Sequence, residues 1–448
     1  MANSWDSSQV ASSGLLPFES RAAAEARAYR EAVQKAFSVD ERRRDLSRFA
    51  KEFYRTRLHA SVHREPSEAL EDIADPDTVL IVHSHDGQLP HLGIVRMVLK
   101  AHDIASQDRK AVTLYLIGNH YTAAMKRRNL RYGMPNVGRS PDDLDQPPKV
   151  PVGNAQTPFR WLPPPSEKDL EMLRRKVEAF IPQNLGHERR TGTPLVSDAK
   201  ERITARLQGQ FDLLNRAARE SESFGDWLIR VQHDVFTLML GPEAGRIVFL
   251  PMADLSVLFR DELTMVADRA EEVSAVKATV NAEQIARGEE PYAREAQASS
   301  FWVHCPSCLR RARQPWHPAR PVEFECPFCK SRHRLEGEDA WRWSMPDIVA
   351  YEVALFRLGT DAWVVGSRAS YLPVIERTYE RLFQSPMPPR FFQTTVPTFR
   401  GIGDLPQGYG RTRLLRALLE MEPPALAAGL RVPWEENPQL RSDLLGAP

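Results

Sequence analysis

The four cysteines of this chain form two pairs, Cys305-Pro-Ser-Cys308 and Cys326-Pro-Phe-Cys329, separated by 17 residues. Two C-x-x-C turns at this separation each present two thiolates to one tetrahedral Zn²⁺, so residues 301–335 are expected to be a zinc ribbon. Four thiolates leave the metal no open position, which makes its expected role structural: it folds a stretch too short to have a core. His304, His317 and His333 lie close by but are not needed as ligands, and are expected to face solvent or to stand behind the cysteines. The ribbon is locally basic, with Arg310, Arg311, Arg313, Arg320, Lys330, Arg332 and Arg334, and Trp302, Trp316 and Phe328 are interleaved. That mixture suits RNA. It equally suits a solvated basic surface over a small aromatic core. No cysteine remains for a disulfide framework, which fits a reducing compartment and a cytoplasmic location.

Upstream, VLIVHSHDGQLPHLGIVRMVL sets a greasy run against a polar cluster. Val79–Val82 reads as a buried strand, His91–Ile104 as a helix and Ala111–Ile117 as a second strand, together one β-α-β unit of the doubly wound kind. Parallel strands of that kind bind ligands at their carboxyl ends. The intervening turn carries Gly87 and Gly93, and His91 opens the helix, so a phosphate chain can meet backbone N–H groups at the helix N-terminus. A cap or a packed histidine is the alternative reading.

A length of 448 residues suggests two to four units at roughly 100–200 residues per domain. Lys and Arg number 60 against 59 for Asp and Glu, which removes any bulk electrostatic argument for nucleic acid. No stretch reaches the apolar length of a membrane helix, and MANSWDSSQV lacks the pattern of a signal peptide, so no membrane partner is expected. Residues 1–75 read as an N-terminal helical region. Proline-rich sequence between Asp142 and Leu170 marks an excursion, after which Ser166 and Asp169 resemble a capping box, with Leu170, Leu173, Val177 and Phe180 on one helical face. Further helices are expected over Asp198–Leu240, Asp261–Arg287 and Pro373–Phe383, and strands over Ile247–Leu250 and Ala362–Val365.

DGQLPHLGIVR, Asp86–Arg96, is similar to the HIGH signature of class I aminoacyl-tRNA synthetases. Several other stretches resemble the class I lysyl-tRNA synthetases. IGNHYTAAMKRRNLRYGMP follows the second strand, Trp341–Trp363 resembles the approach to that family's "GKDH" turn, and Leu414–Arg431 resembles the start of its helical region. Weaker similarity to bacillithiol-forming cysteine-adding ligases runs through Asn281–Arg294 and Ala362–Ile375. The resemblance implies an α/β fold, a Rossmann-like parallel sheet with helical insertions and the zinc ribbon. The core would be split into residues 76–140 and 336–400, around a helical insertion with connecting strands at 141–300, and followed by a helical tail at 401–448.

The function it implies is an ATP-dependent, adenylate-forming ligase that activates an amino acid or small carboxylic acid and passes it to an acceptor. ATP, accompanied by Mg²⁺, would meet His85, Gly87, His91, Gly93, Gly359 and Asp361, with His91 and Asp361 also catalytic. Asn119, His120 and Tyr371 would hold the acyl substrate. Departures are plain: Ile94 replaces the last residue of HIGH, Asn119-His120-Tyr121-Thr122 replaces the acidic segment that receives a lysine, and only Gly359-Thr360-Asp361-Ala362 survives of "GKDH". The KMSKS-like loop expected after Pro397 has no lysine or serine pair. A non-catalytic paralogue that senses a nucleotide or amino acid, or binds RNA or tRNA, therefore stays open, as does a zinc-stabilised α/β protein with its function elsewhere.

Overall fold

The structure is a computed structural model and describes residues 18–34, 40–58, 66–87, 89–90, 92–108, 110–122, 150–185, 197–289, 291–292, 300–312, 316–366, 371–393 and 422–431. Its strands are β1 (Val79–Asp86), β2 (Ala111–Gly118), β3 (Ile247–Pro251), β4 (Phe301–His304), β5 (Arg311–Ala312), β6 (Val322–Glu325), β7 (Arg332–Leu335), β8 (Ser344–Pro346), β9 (Ala362–Gly366) and β10 (Arg390–Gln393). Five of them form one sheet in the order β10-β9-β1-β2-β3, every pairing parallel. The class is therefore α/β with a Rossmann-like parallel sheet.

β2 is buried along its whole length, as a strand covered on both faces must be. Successive residues of β1 feed opposite layers. Val79 and Ile81 pack with Ile104 and with Ala22, Ala26 and Ala101, whose small side chains let helices Phe18–Tyr29 and Leu92–Ala105 come close. Leu80 and Val82 join the main core with Val349, Val353 and Leu355 of helix Ile348–Leu355. Among the described residues no helix is long and apolar enough to cross a membrane.

The structure corrects the polar turn after Val82. His83, Ser84, His85 and Asp86 continue β1, because β2 matches it residue for residue from Val79↔Ala111 to Asp86↔Gly118. A partner strand of the same length supplies backbone hydrogen bonds that local polarity does not reveal. The chain leaves the sheet at Gly87, whose N–H donates to the Gly118 carbonyl at 3.0 Å. A Cβ at Gly87 would stand 2.6 Å from that oxygen, so only glycine allows this approach.

Between β2 and β3 the capping box forms reciprocally. The Asp169 N–H donates to Ser166 Oγ at 3.2 Å and the Ser166 N–H to Asp169 Oδ2 at 3.3 Å, opening helix Glu167–Leu185, which buries Leu170, Leu173 and Val177. The side chain of Phe180 lies outside the described residues. The helical stretch expected over 198–240 is made of two helices, Ser197–Arg219 and Phe224–Leu240, the second started by Ser223, whose Oγ accepts from the Asp226 N–H at 3.1 Å. The expected helix over 261–287 is likewise divided at Arg269, into Arg260–Asp268 and Ala270–Ala286. β3 falls inside the 141–300 segment yet pairs with β2, so that segment also supplies an edge strand of the sheet.

Candidate functional site

The strand order reverses direction beside β1, and crevices in open parallel sheets form at that switch, outside the carboxyl ends of the strands. Here the β1–β9 ladder stops short. β1 pairs with β2 along its full length but with β9 only at Ile81↔Ala362 and Val82↔Trp363. Beyond that point a side chain replaces the ladder: His83 Nδ1 sits 2.9 Å from the Val364 carbonyl oxygen. A carbonyl only accepts, so Nδ1 carries the proton. Burial, reinforced by the neighbouring His85, pulls the His83 pKa down to about 3. The ring stays neutral, stacked on Tyr115 with centroids 5.5 Å apart. On the opposite face of β1, Ser84 Oγ donates to Glu352 Oε1 at 2.6 Å.

These shifts have a sign that can be checked. His83, and His102 with a pKa lowered by burial to about 4, stay neutral in the fold while the unfolded chain protonates them near pH 6.5. Below that pH the unfolded state binds more protons, so stability is lost as pH falls from about 6.5 toward 4, by about 1.4 kcal/mol per pH unit for each ring. Urea unfolding between pH 7 and pH 4.5 should follow this slope. It should be shallower for His83→Gln, which keeps a donor for Val364.

Several residues expected at the site do gather at the carboxyl edge. His85, half-buried, and Gly87 end β1; Gly93 lies in the first turn of helix Leu92–Ala105; Asn119 and His120 follow β2; Tyr371 precedes helix Leu372–Phe383 after β9. His91 and the segment after Pro397 lie outside the described residues. The individual employment of these side chains differs from the expectation. The Gly87 N–H is taken by Gly118. Asn119 is buried and ties strand ends together, its Oδ1 accepting from the Ala253 N–H at 2.9 Å and its Nδ2 lying 3.4 Å from Asp254 Oδ2. His120 is sandwiched by Tyr121 and Tyr351, with ring centroids 4.1 and 4.5 Å away.

Gly359 and Asp361 are elsewhere. They precede β9, at the amino end of the sheet, where the Asp361 N–H donates to the Leu80 carbonyl and Asp361 Oδ2 accepts from the Leu80 N–H at 2.8 Å. Arg43 binds the same carboxylate oxygen and also donates to the Gly359 carbonyl, from Nη2 at 2.8 Å, and to the Thr78 carbonyl. Arg43 and Asp361 have no exposed side-chain surface. The carboxylate expected to hold a ribose is thus committed to fastening the N-terminal helical region to the sheet, on the edge opposite His85.

Sequence reasoning missed a polar network at the ends of β2 and β3. Arg57 donates to Asp254 Oδ2 at 2.7 Å and also pairs with Asp226, while Arg160 reaches Asp254 Oδ1 at 3.0 Å. Burial pushes the Asp226 carboxyl up, against the pull of Arg57. Its members come from four distant stretches, so no local pattern announces it.

The cysteine module lies beside this network. Each knuckle is a hairpin tip: the Leu309 N–H donates to the Cys305 carbonyl at 2.8 Å and the Lys330 N–H to the Cys326 carbonyl at 3.0 Å. Leu309 and Lys330 share a left-handed backbone, with φ of 59° and 60°. The four sulfur atoms lie within 4.8 Å of one another, with Cys305···Cys329 at 3.5 Å and Cys308···Cys326 at 3.7 Å. A tetrahedron of Zn–S bonds of about 2.3 Å has S···S edges of about 3.8 Å. The cluster therefore fits a metal such as zinc.

Its histidines are only partly where the sequence suggested. His333 Nε2 lies 3.2 Å from Cys305 Sγ, behind the cluster, and His317 meets Asp268 at 3.0 Å. His304 is buried, not solvent-facing. Much of the module's basic charge is answered locally, Arg320 by Asp268, Arg332 by Glu325 and Arg334 by Glu323 and Glu336. Arg310 and Arg311 lie over Phe328 and Trp302. No protein-family model matches the chain, and no curated protein matches it either.

Proposed function

We propose that this chain is an ATP-dependent, adenylate-forming ligase that seats its nucleotide in the crevice between β1 and β9, with a structural Zn²⁺ on Cys305, Cys308, Cys326 and Cys329. The observation that carries the reading is the parting of β1 and β9 after Val82 and Trp363 at the switch point of a five-stranded parallel sheet. In the reaction, a carboxylate of an amino acid or small acid attacks the α-phosphorus of ATP and expels pyrophosphate, and Mg²⁺ accompanies the triphosphate. The chain's part is to bind and orient. His85, at the end of β1, is the imidazole that meets phosphate oxygens. Glu352, held on Ser84 at the same edge, takes the ribose-binding place that Asp361 cannot fill.

A second reading, a nucleotide sensor without catalysis, is favoured by the sequestration of Asp361 on Arg43. ATP–pyrophosphate exchange measured across amino acids and small carboxylic acids separates the two. Exchange with at least one acid, reduced roughly tenfold or more by His85→Ala, is expected if the phosphate contact is a charge-stabilising donor. ATP affinity without exchange supports the sensor. Absence of ATP binding removes both readings.

A further inference from the structure

Besides the apolar packing that Phe301 and Val303 share with the main core, an aromatic contact joins the four-cysteine cluster to the carboxyl edge of the sheet. His304, next to Cys305, is oriented by the knuckle, its Nδ1 lying 3.4 Å from the Leu309 carbonyl. The ring meets Trp161 edge-on, with centroids 5.2 Å apart and planes at 74°, and Trp161 also contacts Trp343 at 4.8 Å. Trp161 lies in a short segment clamped to the end of β2: the Phe159 N–H donates to the Tyr121 carbonyl at 3.0 Å and the Arg160 N–H to the Asn119 carbonyl at 2.9 Å. The Arg160 guanidinium is 5.6 Å from the Trp161 ring centroid and pairs with Asp254 beyond β3. The knuckle, the indole and the ends of two core strands thus form one continuous chain of contacts.

We infer that His304 is a positioning residue through which the metal centre holds residues 157–162, and with them Asn119, His120 and Asp254, in place at the carboxyl edge of the sheet. The four thiolates close the coordination shell without His304, so its burial against Trp161 acts outward, on the core. Metal loss releases the knuckle, the knuckle releases the imidazole, and the 157–162 segment loses its backing. The consequence is that ligand affinity at this edge depends on a metal that never touches the ligand. That consequence rests on the nucleotide reading above; the positioning itself does not.

The test is hydrogen exchange at the Phe159 and Arg160 amides in the full-length, metal-loaded protein, with metal content measured alongside. It needs no nucleotide, so a failed nucleotide assignment leaves it standing. His304→Ala and Trp161→Ala should each keep the metal, since the four cysteines are intact. Exchange at these amides should be roughly three- to tenfold faster, the factor an edge-to-face aromatic pair corresponds to. The double variant should be no faster than Trp161→Ala alone, because loss of the indole already removes the His304 contact together with those to Trp343 and Arg160. His304→Phe, which keeps a ring against Trp161, should restore protection. Chelation of the wild-type protein should reproduce the faster exchange. Unchanged exchange at Phe159 and Arg160 after the wild-type protein has been stripped of metal overturns the inference, whether or not His304→Ala folds. So does a Trp161→Ala protein with wild-type protection.

Discussion

Replacing Arg43 by alanine is expected to destabilise the protein by about 3–5 kcal/mol, the cost of leaving a buried charge without its partner. Three groups each lose a donor together: the Asp361 carboxylate, which keeps only the Leu80 N–H, and the carbonyls of Gly359 and Thr78. None can turn to water, because Asp361 and Thr78 are buried at the amino end of the sheet. Asp361→Asn should cost a similar amount, about 3–5 kcal/mol, because the amide oxygen can still accept from the Leu80 N–H but the buried Arg43 guanidinium, which cannot shed its charge, loses its counterion. Urea unfolding of both single variants and of the double variant checks this. The expected coupling is large, because the two side chains share one contact. Additive losses would show that the pair contributes nothing as a pair.

The second large effect is on the cysteine module. Cys326→Ser, or chelation, should empty the metal site and unfold residues 300–312 and 322–335, while the interior of the parallel sheet keeps its protection. In small peptides zinc contributes an apparent 10–16 kcal/mol to folding, about as much as the whole stability of a typical domain. Around the cysteines the module buries few apolar side chains, Ala312, Trp316, Phe324 and Leu335, in addition to Phe301 and Val303, which β4 contributes to the main core. Metal analysis should give one equivalent in the wild-type chain and none in Cys326→Ser. Retained metal in that variant would contradict a four-thiolate site, and a folded module after chelation would contradict its dependence on metal. Loss of protection at Phe159 and Arg160 belongs to the coupling through His304 and is read separately.

Asp361 and the four cysteines show where a local sequence pattern fixes a side chain's partners and where it does not. The cysteines act together because two short turns fix their geometry locally, so their spacing alone predicts their convergence. A lone aspartate has no such local constraint. Its partner lies 318 residues away in sequence, and nothing within several residues of Asp361 distinguishes a ribose-binding carboxylate from one that fastens a helix to a sheet.

The sequence by itself determined the features that depend on near neighbours. The apolar runs of β1 and β2 specify buried parallel strands, Ser166 and Asp169 start a helix, and two C-x-x-C turns build a four-cysteine cluster that could hold a metal. Tertiary structure alone decided the features that depend on which segments cross. It extended β1 through four polar residues because β2 runs alongside, placed β3 at the sheet edge, parted β1 from β9, and gathered Arg57, Arg160, Asp226 and Asp254 into one network. The physical reason is range: helix periodicity, capping and turn geometry act over a few residues, whereas a charge or an unfilled backbone group is satisfied by whatever the folded chain brings within about 3 Å.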